Sequence, residues 1–252
     1  MKLRIVTPIT TPGFTTIDDF QAVVRSDTEL SHVQIDRGPA SIECAFDEAL
    51  SIPDTIAKIA EAERDGVDGV VINCMGDPGM HSGREVVSIP VIGPCEATMH
   101  LAAMLGHSFS VITVLDTLRS QFENQAKVYG VRDKLASVRS VDIPVLDLDV
   151  DRGRMVNALV EQAILAIEQD GADVLIFGCT GMLGAAEQVE QGLAARGYDG
   201  VPVIDSMVAA IKLAEAMIDA GLRHSKRTYP FPPSKRIVGY DNVAIREAVL
   251  AD

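Results

Sequence analysis

A thiol's ordinary pKa of roughly 8.5 lets it take or give a proton at carbon near neutral pH. Two of the four cysteines, Cys74 and Cys179, stand in a segment that the chain contains twice. Asp65-Gly66-Val67-Asp68-Gly69-Val70-Val71-Ile72-Asn73-Cys74-Met75-Gly76 aligns without a gap on Asp170-Gly171-Ala172-Asp173-Val174-Leu175-Ile176-Phe177-Gly178-Cys179-Thr180-Gly181, at an offset of 179 − 74 = 105. Each copy ends an apolar run with one cysteine and a glycine-bearing turn. If the halves are related by pseudo-twofold symmetry, the thiols face each other across one cleft. One can then lift a proton from one face of a carbon while the other delivers a proton to the opposite face. The roles exchange for the other enantiomer, and no metal or organic cofactor is needed when a substrate carbonyl supplies the acidity.

The expected setting supports that chemistry. In open parallel sheets, ligands bind beyond the carboxyl ends of the strands, and both cysteines sit one residue past such an end. Turn N–H groups and a following helix start are expected to lower the thiol pKa toward neutrality. The backbone N–H groups of Met75, Gly76, Thr180 and Gly181 would hold a carbonyl or developing enolate, with Gly76 and Gly181 allowing close approach. A single cysteine after an apolar strand is more often core than catalytic. That reading is kept for Cys44, placed inside an expected helix, and for Cys95, at a helix start without a symmetric cysteine. Paired position overturns it for Cys74 and Cys179. Asp77-Pro78-Gly79 reads equally as a simple turn or as part of the site. The hydroxyls of Thr10, Thr113 and Thr180, at or near strand ends, could bind a substrate carbonyl or carboxylate, or serve as local caps. His81 reads as an exposed loop residue before a proton relay, and His100 as packed or capping.

The elements that must position these groups repeat as well. Leu3–Thr11 matches Phe109–Thr117 at an offset of 106, and Glu29–Val33 matches Lys134–Val138 at 105. Ile89–Gly93 matches Val201–Asp205 at 112, because the second copy carries a longer insert after its cysteine. Short β-branched runs alternate with helical periodicity, the pattern of parallel βα units. Strands are expected at Arg4–Pro8, Val67–Asn73, Val91–Gly93, Ser110–Val114, Val174–Gly178 and Val203–Asp205, in sheets covered on both faces. Val156, Leu159, Val160, Ala163, Ile164 and Ile167 form one helix stripe. Ile56, Ile59 and Ala60 form another, with Asp54 as its cap and Asp65-Gly66 as its stop. A helix from about Glu96 to Gly106 matches one that opens at Asp205-Ser206 and ends at Gly221. The fold expected is α/β: two pseudo-twofold-related domains, each a mainly parallel sheet flanked by helices, with the site between them. The first spans residues 1–106 with a returning segment 222–252, and the second spans 107–221. Tyr229-Pro230-Phe231-Pro232-Pro233 is expected to be extended.

Bulk composition narrows the class. The 252 residues allow a sizeable core. Lys+Arg number 22 against Asp+Glu 36, a net charge of −14. That surface repels phosphate backbones, which argues against nucleic acid. No apolar run is long enough to span a bilayer, so neither a membrane partner nor a leader is expected, and the chain reads as cytoplasmic. The cysteines show no Cys-x-x-Cys spacing and no histidine cluster, so no metal site and no disulfide framework is expected.

Asn73-Cys74-Met75-Gly76-Asp77-Pro78-Gly79, taken with Gly178-Cys179-Thr180-Gly181-Met182, resembles the aspartate/glutamate/hydantoin racemase superfamily, in its hydantoin and allantoin racemase branch. Gly38–Glu43, Pro90–Gly93 with Glu96-Ala97, Phe109–Thr113, and Ser225-Lys226 before Tyr229 resemble the same branch. The resemblance implies two similar α/β domains, a site between them, cofactor-independent racemisation by Cys74 and Cys179 on a small molecule, and a homo-oligomer. The branch opens with an Asn-Pro-Asn-Thr element. Here the matching residues are Thr7-Pro8-Ile9-Thr10, so Pro8, Ile9 and Thr10 fall on substrate-binding positions without the asparagine amides. A Thr-Thr pair in the branch reads Thr113-Val114, and Gly181 stands where amino-acid racemases carry histidine. Donors for a ureide ring are thus partly replaced by apolar groups. The activity expected is a cofactor-independent racemase or epimerase of a hydantoin- or allantoin-like compound or an amino-acid derivative. Alternatives are a decarboxylase or cis–trans isomerase on the same fold, or a non-catalytic small-molecule-binding protein.

Overall fold

The computed structural model of the chain describes residues 1–239. In chain order the elements are β1 (Lys2–Thr7), α1 (Ile17–Gln21), β2 (Glu29–Gln34), α2 (Ala45–Arg64), β3 (Gly69–Ile72), α3 (Met80–Val86), β4 (Val91–Ile92) and α4 (Pro94–Leu105). The second half repeats the series as β5 (Phe109–Thr113), α5 (Arg119–Val128), β6 (Leu135–Ser140), α6 (Arg152–Asp170), β7 (Val174–Phe177), α7 (Ala186–Ala194), β8 (Val203–Ile204) and α8 (Ser206–Asp219). They build two four-stranded parallel sheets, ordered β2-β1-β3-β4 and β6-β5-β7-β8. The α/β class with two parallel sheets is as the sequence led us to expect.

The central strands form because their residues are apolar on both faces. Every residue of β3, Gly-Val-Val-Ile, and of β7, Val-Leu-Ile-Phe, is buried. The outer strands β2 and β6 were visible in the sequence only as a matching pair of segments, without a strand assignment. Their sequences, ELSHVQ and LASVRS, are half-polar because they are half-exposed, so they lack the continuous apolar signal.

Two local readings need correction. The long helix α2 does not begin at Asp54. It begins at Ala45 and runs through Pro53, and Asp54 is buried inside it. The Asp54 carboxylate turns outward from the helix to accept the N–H groups of Asp36 (2.6 Å) and Arg37 (3.2 Å). It caps a neighbouring loop, not its own helix. Cys44 is the residue before α2, not within it, and is only partly buried.

The last helix of each half packs across the molecule. Met207, Ala210, Ile211 and Ala214 of α8 lie in one apolar cluster with Leu3, Ile5, Val71 and Ile92 of the first sheet. Met99 and Ala102 of α4 lie in the cluster of the second sheet, with Phe109 and Val111. Division by repeat, at 106/107, and division by packing therefore assign α4 and α8 differently. Each large side chain buried in these contacts contributes about 1.5–3 kcal/mol. After α8 the chain lies against the first half. His224 Nε2 accepts the Val91 N–H (3.0 Å), and Lys226 Nζ donates to the carbonyls of Arg84 (2.7 Å) and Val87 (2.6 Å) at the end of α3. The proline-rich stretch carries no helix, and residues 240–252 of the expected returning segment lie outside the described residues. No helix among the described residues is long and apolar enough to cross a membrane.

Candidate active site

The two cysteine turns start from equivalent ladder bonds. Asn73 N–H donates to Val6 O (2.8 Å) beyond β3, and Gly178 N–H donates to Ile112 O (2.7 Å) beyond β7. Each bond fixes the residue before a cysteine, and each cysteine then leaves its sheet at the carboxyl edge. The turns touch: Thr180 Oγ1 donates to Asn73 O at 3.3 Å. Cys74 and Cys179 consequently line one cleft, with about 490 Å3 of empty space including its mouth.

The walls are mostly apolar. Ile9, Phe14 and Ile42 come from the first half, and Val114, Leu118, Phe122 and Val145 from the second. Polar groups are few: Asn73, Gln121 and Thr180, with the Gly76 and Gly178 backbone. Asn73 is held by Nδ2 bonds to Thr7 Oγ1 (3.0 Å) and Thr15 Oγ1 (3.2 Å), and its Oδ1 is buried without a partner. Thr7 is also bonded to His32 Nε2 (2.8 Å), and burial lowers the His32 pKa.

Of the residues singled out from the sequence, Ile9, Met75, Gly76 and Thr180 line the cleft beside both cysteines. Others do not. Pro8 is buried away from it. The Thr10 hydroxyl donates to Pro39 O (3.1 Å). Thr113 is buried, its hydroxyl 3.5 Å from Gly178 O. Gly181 borders a neighbouring groove with Phe14 and Arg152, although its backbone N–H partly offsets the rise of the Cys179 pKa. Asp77 faces away. Its carboxylate accepts the N–H groups of Cys95 (3.0 Å) and Glu96 (2.9 Å) at the start of α4, and the Tyr129 hydroxyl (2.7 Å). His81 stacks on Tyr229 outside the cleft, and His100 is exposed on α4.

The expected lowering of the thiol pKa values is not found. Burial pushes the Cys74 thiol far up, and burial pushes Cys179 up to about 11. One backbone N–H opposes each rise, Gly76 at 3.4 Å from Cys74 Sγ and Gly181 at Cys179. A single neutral donor cannot replace the water that an apolar cleft removes. The nearby Cys179, Glu48 and Asp77 raise Cys74 further.

Sequence reasoning gave most of the walls no site role. Asn73, Val114 and Ile42 stand in the quoted motifs without one, and Phe14 sits in a loop with no periodic signal. Gln121 and Phe122 belong to α5, which carried no sequence assignment. Among the described residues, no group of three His, Cys, Asp or Glu side chains is placed to hold a metal ion.

Two parallel four-stranded sheets thus each bring a cysteine turn to one cleft, the architecture of an α/β protein with a site between its sheets. The sequence model of the Asp/Glu/Hydantoin racemase family matches residues 14–214, and the chain belongs to that family. It is an isomerase of the racemase class. A hydantoin racemase of Pseudomonas sp. (strain NS671) is 40% identical over 242 residues, covering 95% of each chain. A hydantoin racemase of Rhizobium meliloti is 36% identical, over 95% of this chain and 98% of its own. The solved allantoin racemase from Klebsiella pneumoniae superposes with a TM-score of 0.89 at 32% identity, over 96% of this chain and 98% of that one.

Proposed function

We propose that this chain racemises 5-substituted hydantoins without a cofactor, with Cys74 and Cys179 as the acid–base pair. The observation that carries this reading is the pairing itself: two thiols on one apolar cleft, with the Gly76 N–H on the Cys74 sulfur. Burial raises both thiols, and one direction of the cycle starts from Cys179 as the base. As thiolate it takes the C5 proton from one face, leaving an enolate on the adjacent ring carbonyl. Cys74, as thiol, gives its proton to the opposite face. The exchange leaves Cys74 as thiolate and Cys179 as thiol, ready for the reverse direction. Backbone N–H groups of Met75 and Thr180, on the two cysteine turns that line the cleft, are left to meet the developing oxyanion, while the Gly76 N–H stays on the Cys74 sulfur.

The lining also favours one kind of 5-substituent. Ile9 and Val114 occupy positions where the branch carries asparagine and threonine, and Phe14, Leu118 and Phe122 extend the apolar wall. A ureido group there would leave hydrogen-bonding atoms unmet, at about 1–3 kcal/mol each. Alkyl and aryl substituents fit without that cost. The test is a panel of single enantiomers in D2O: alkyl- and aryl-hydantoins, allantoin and acidic amino acids. Optical rotation and NMR at the α-carbon are followed. Racemisation of apolar hydantoins with deuterium uptake is expected. Faster turnover of allantoin or of free amino acids would reject the substrate assignment, and release of CO2 would reject racemisation.

A further inference from the structure

Three side chains four residues apart reach from the second half to the first, two of them to the Cys74 turn. Gln121 and Gln125 lie on α5, and Tyr129 is the residue that follows it. Gln121 Nε2 donates to Glu48 Oε2 on α2 (2.6 Å), and the Tyr129 hydroxyl donates to Asp77 (2.7 Å). Between them, Gln125 Nε2 donates to the carbonyls of Met75 (3.2 Å) and Gly76 (2.8 Å), while its Oε1 accepts from Cys95 Sγ (3.3 Å).

The Met75 carbonyl and the Gly76 N–H are opposite ends of one peptide group. That group is planar, so a bond at the carbonyl end decides where the N–H aims, and it polarises the N–H as well. The N–H aims at Cys74 Sγ, 3.4 Å away. We propose that Gln125 is a positioning residue for Cys74: by holding the Met75–Gly76 peptide from the opposite half, it keeps the Gly76 N–H on the thiolate. This rests on the reading of the thiols as the acid–base pair. The corresponding peptide in the second half needs no such help. The Thr180 carbonyl accepts the Leu183 N–H (3.2 Å) within its own turn. Support of the Cys74 thiolate therefore depends on contact between the halves, and support of Cys179 does not.

The charged and titratable groups that interact electrostatically with Cys74 are Glu48 on α2, Asp77 in its own turn, Cys95 on α4 and Cys179 across the cleft. Gln125→Met removes the amide and leaves all of them in place. The test uses the full chain without substrate. Iodoacetamide alkylation at about pH 9 is quenched over time, and each cysteine is quantified by peptide mass spectrometry. Gln125→Met is expected to slow alkylation of Cys74 about tenfold, equivalent to one pKa unit, with Cys179 and Cys44 unchanged. With a substrate that the wild type turns over, kcat falls by a similar factor and KM holds. An unchanged Cys74 rate overturns the proposal, and so does a change shared by Cys74 and Cys179, which would mean general loosening. If Gln125→Met does not fold, Gln125→Asn keeps an amide but withdraws its reach from both carbonyls, and the same readout applies. Alkylation needs no substrate, so its result is separable from failure of the hydantoin assignment.

Discussion

The two halves solve one problem with different residues. Each must place a thiol at a sheet edge and also cap the helix that crosses to the other sheet. In the first half a single segment does both. Cys74 opens a turn that ends at Asp77, held at φ 50, and the Asp77 carboxylate caps α4. In the second half the tasks are separated. Cys179 opens a short helical turn over Thr180–Met182, while Asp205, at the end of β8, caps α8 through the N–H groups of Met207 (3.1 Å) and Val208 (3.4 Å). Asp205 reaches the second turn only through the Gly184 N–H (2.7 Å). The residue before each cysteine differs for a steric reason. At 73 the Thr7 hydroxyl accepts the asparagine amide, whereas a Cβ at 178 would lie 2.7 Å from Thr113 Cβ. Chain symmetry therefore does not extend to how each thiol is held.

The largest test of the comparison is removal of each thiol. Cys74→Ser and Cys179→Ser are each expected to reduce racemisation about a thousandfold, measured by optical rotation. Each variant should still exchange the α-deuterium of one enantiomer, and the two variants should retain opposite enantiomers. Retention of the same enantiomer by both would break the two-sided picture.

The capping carboxylates give the next effect. Asp77→Ala and Asp205→Ala should each cost about 2–3 kcal/mol in urea unfolding, since each strands several buried donors. Only Asp77→Ala should also depress kcat, because only that carboxylate belongs to a thiol's turn. Burial raises the Asp77 carboxyl to about 7 from its ordinary 3.8. Between those values the folded chain holds a proton that the unfolded chain releases. Its contribution to stability is full below about pH 4 and is lost as pH rises through about 7. Asp77→Asn should flatten that decline. The smallest effect belongs to the wall. Val114→Thr should shift the ratio of allantoin to alkylhydantoin turnover a few-fold toward allantoin, read as relative kcat/KM, with little change in stability.

Much of this arrangement was legible in the sequence because apolar strands and glycine turns leave local signals. The duplicated segment located both thiols and the central strands β3 and β7. Ile9, singled out through the segment Thr7-Pro8-Ile9-Thr10, lies on the cleft wall. What stayed hidden depends on distant contacts. Asp77 looked like a turn residue because its partners, Cys95, Glu96 and Tyr129, lie 18, 19 and 52 positions away. The direction of the thiol pKa shifts was misjudged for the same reason. Turn donors are local and visible, whereas the burial that outweighs them comes from Phe14, Phe122 and Val145, which no nearby pattern connects to a cysteine.

The crossing of α4 and α8 sets how the chain can be assembled. A fragment cut between 106 and 107 would leave the first sheet without the α8 face that covers Leu3 and Val71, and the second without α4. Neither repeat is then a self-sufficient folding unit, even though each carries a full set of strands. Unfolding should pass through one cooperative transition, and two separately made fragments should gain structure only on mixing. The repeat gives this protein two cysteine-bearing sheet edges, and the interleaved helices make them a single object.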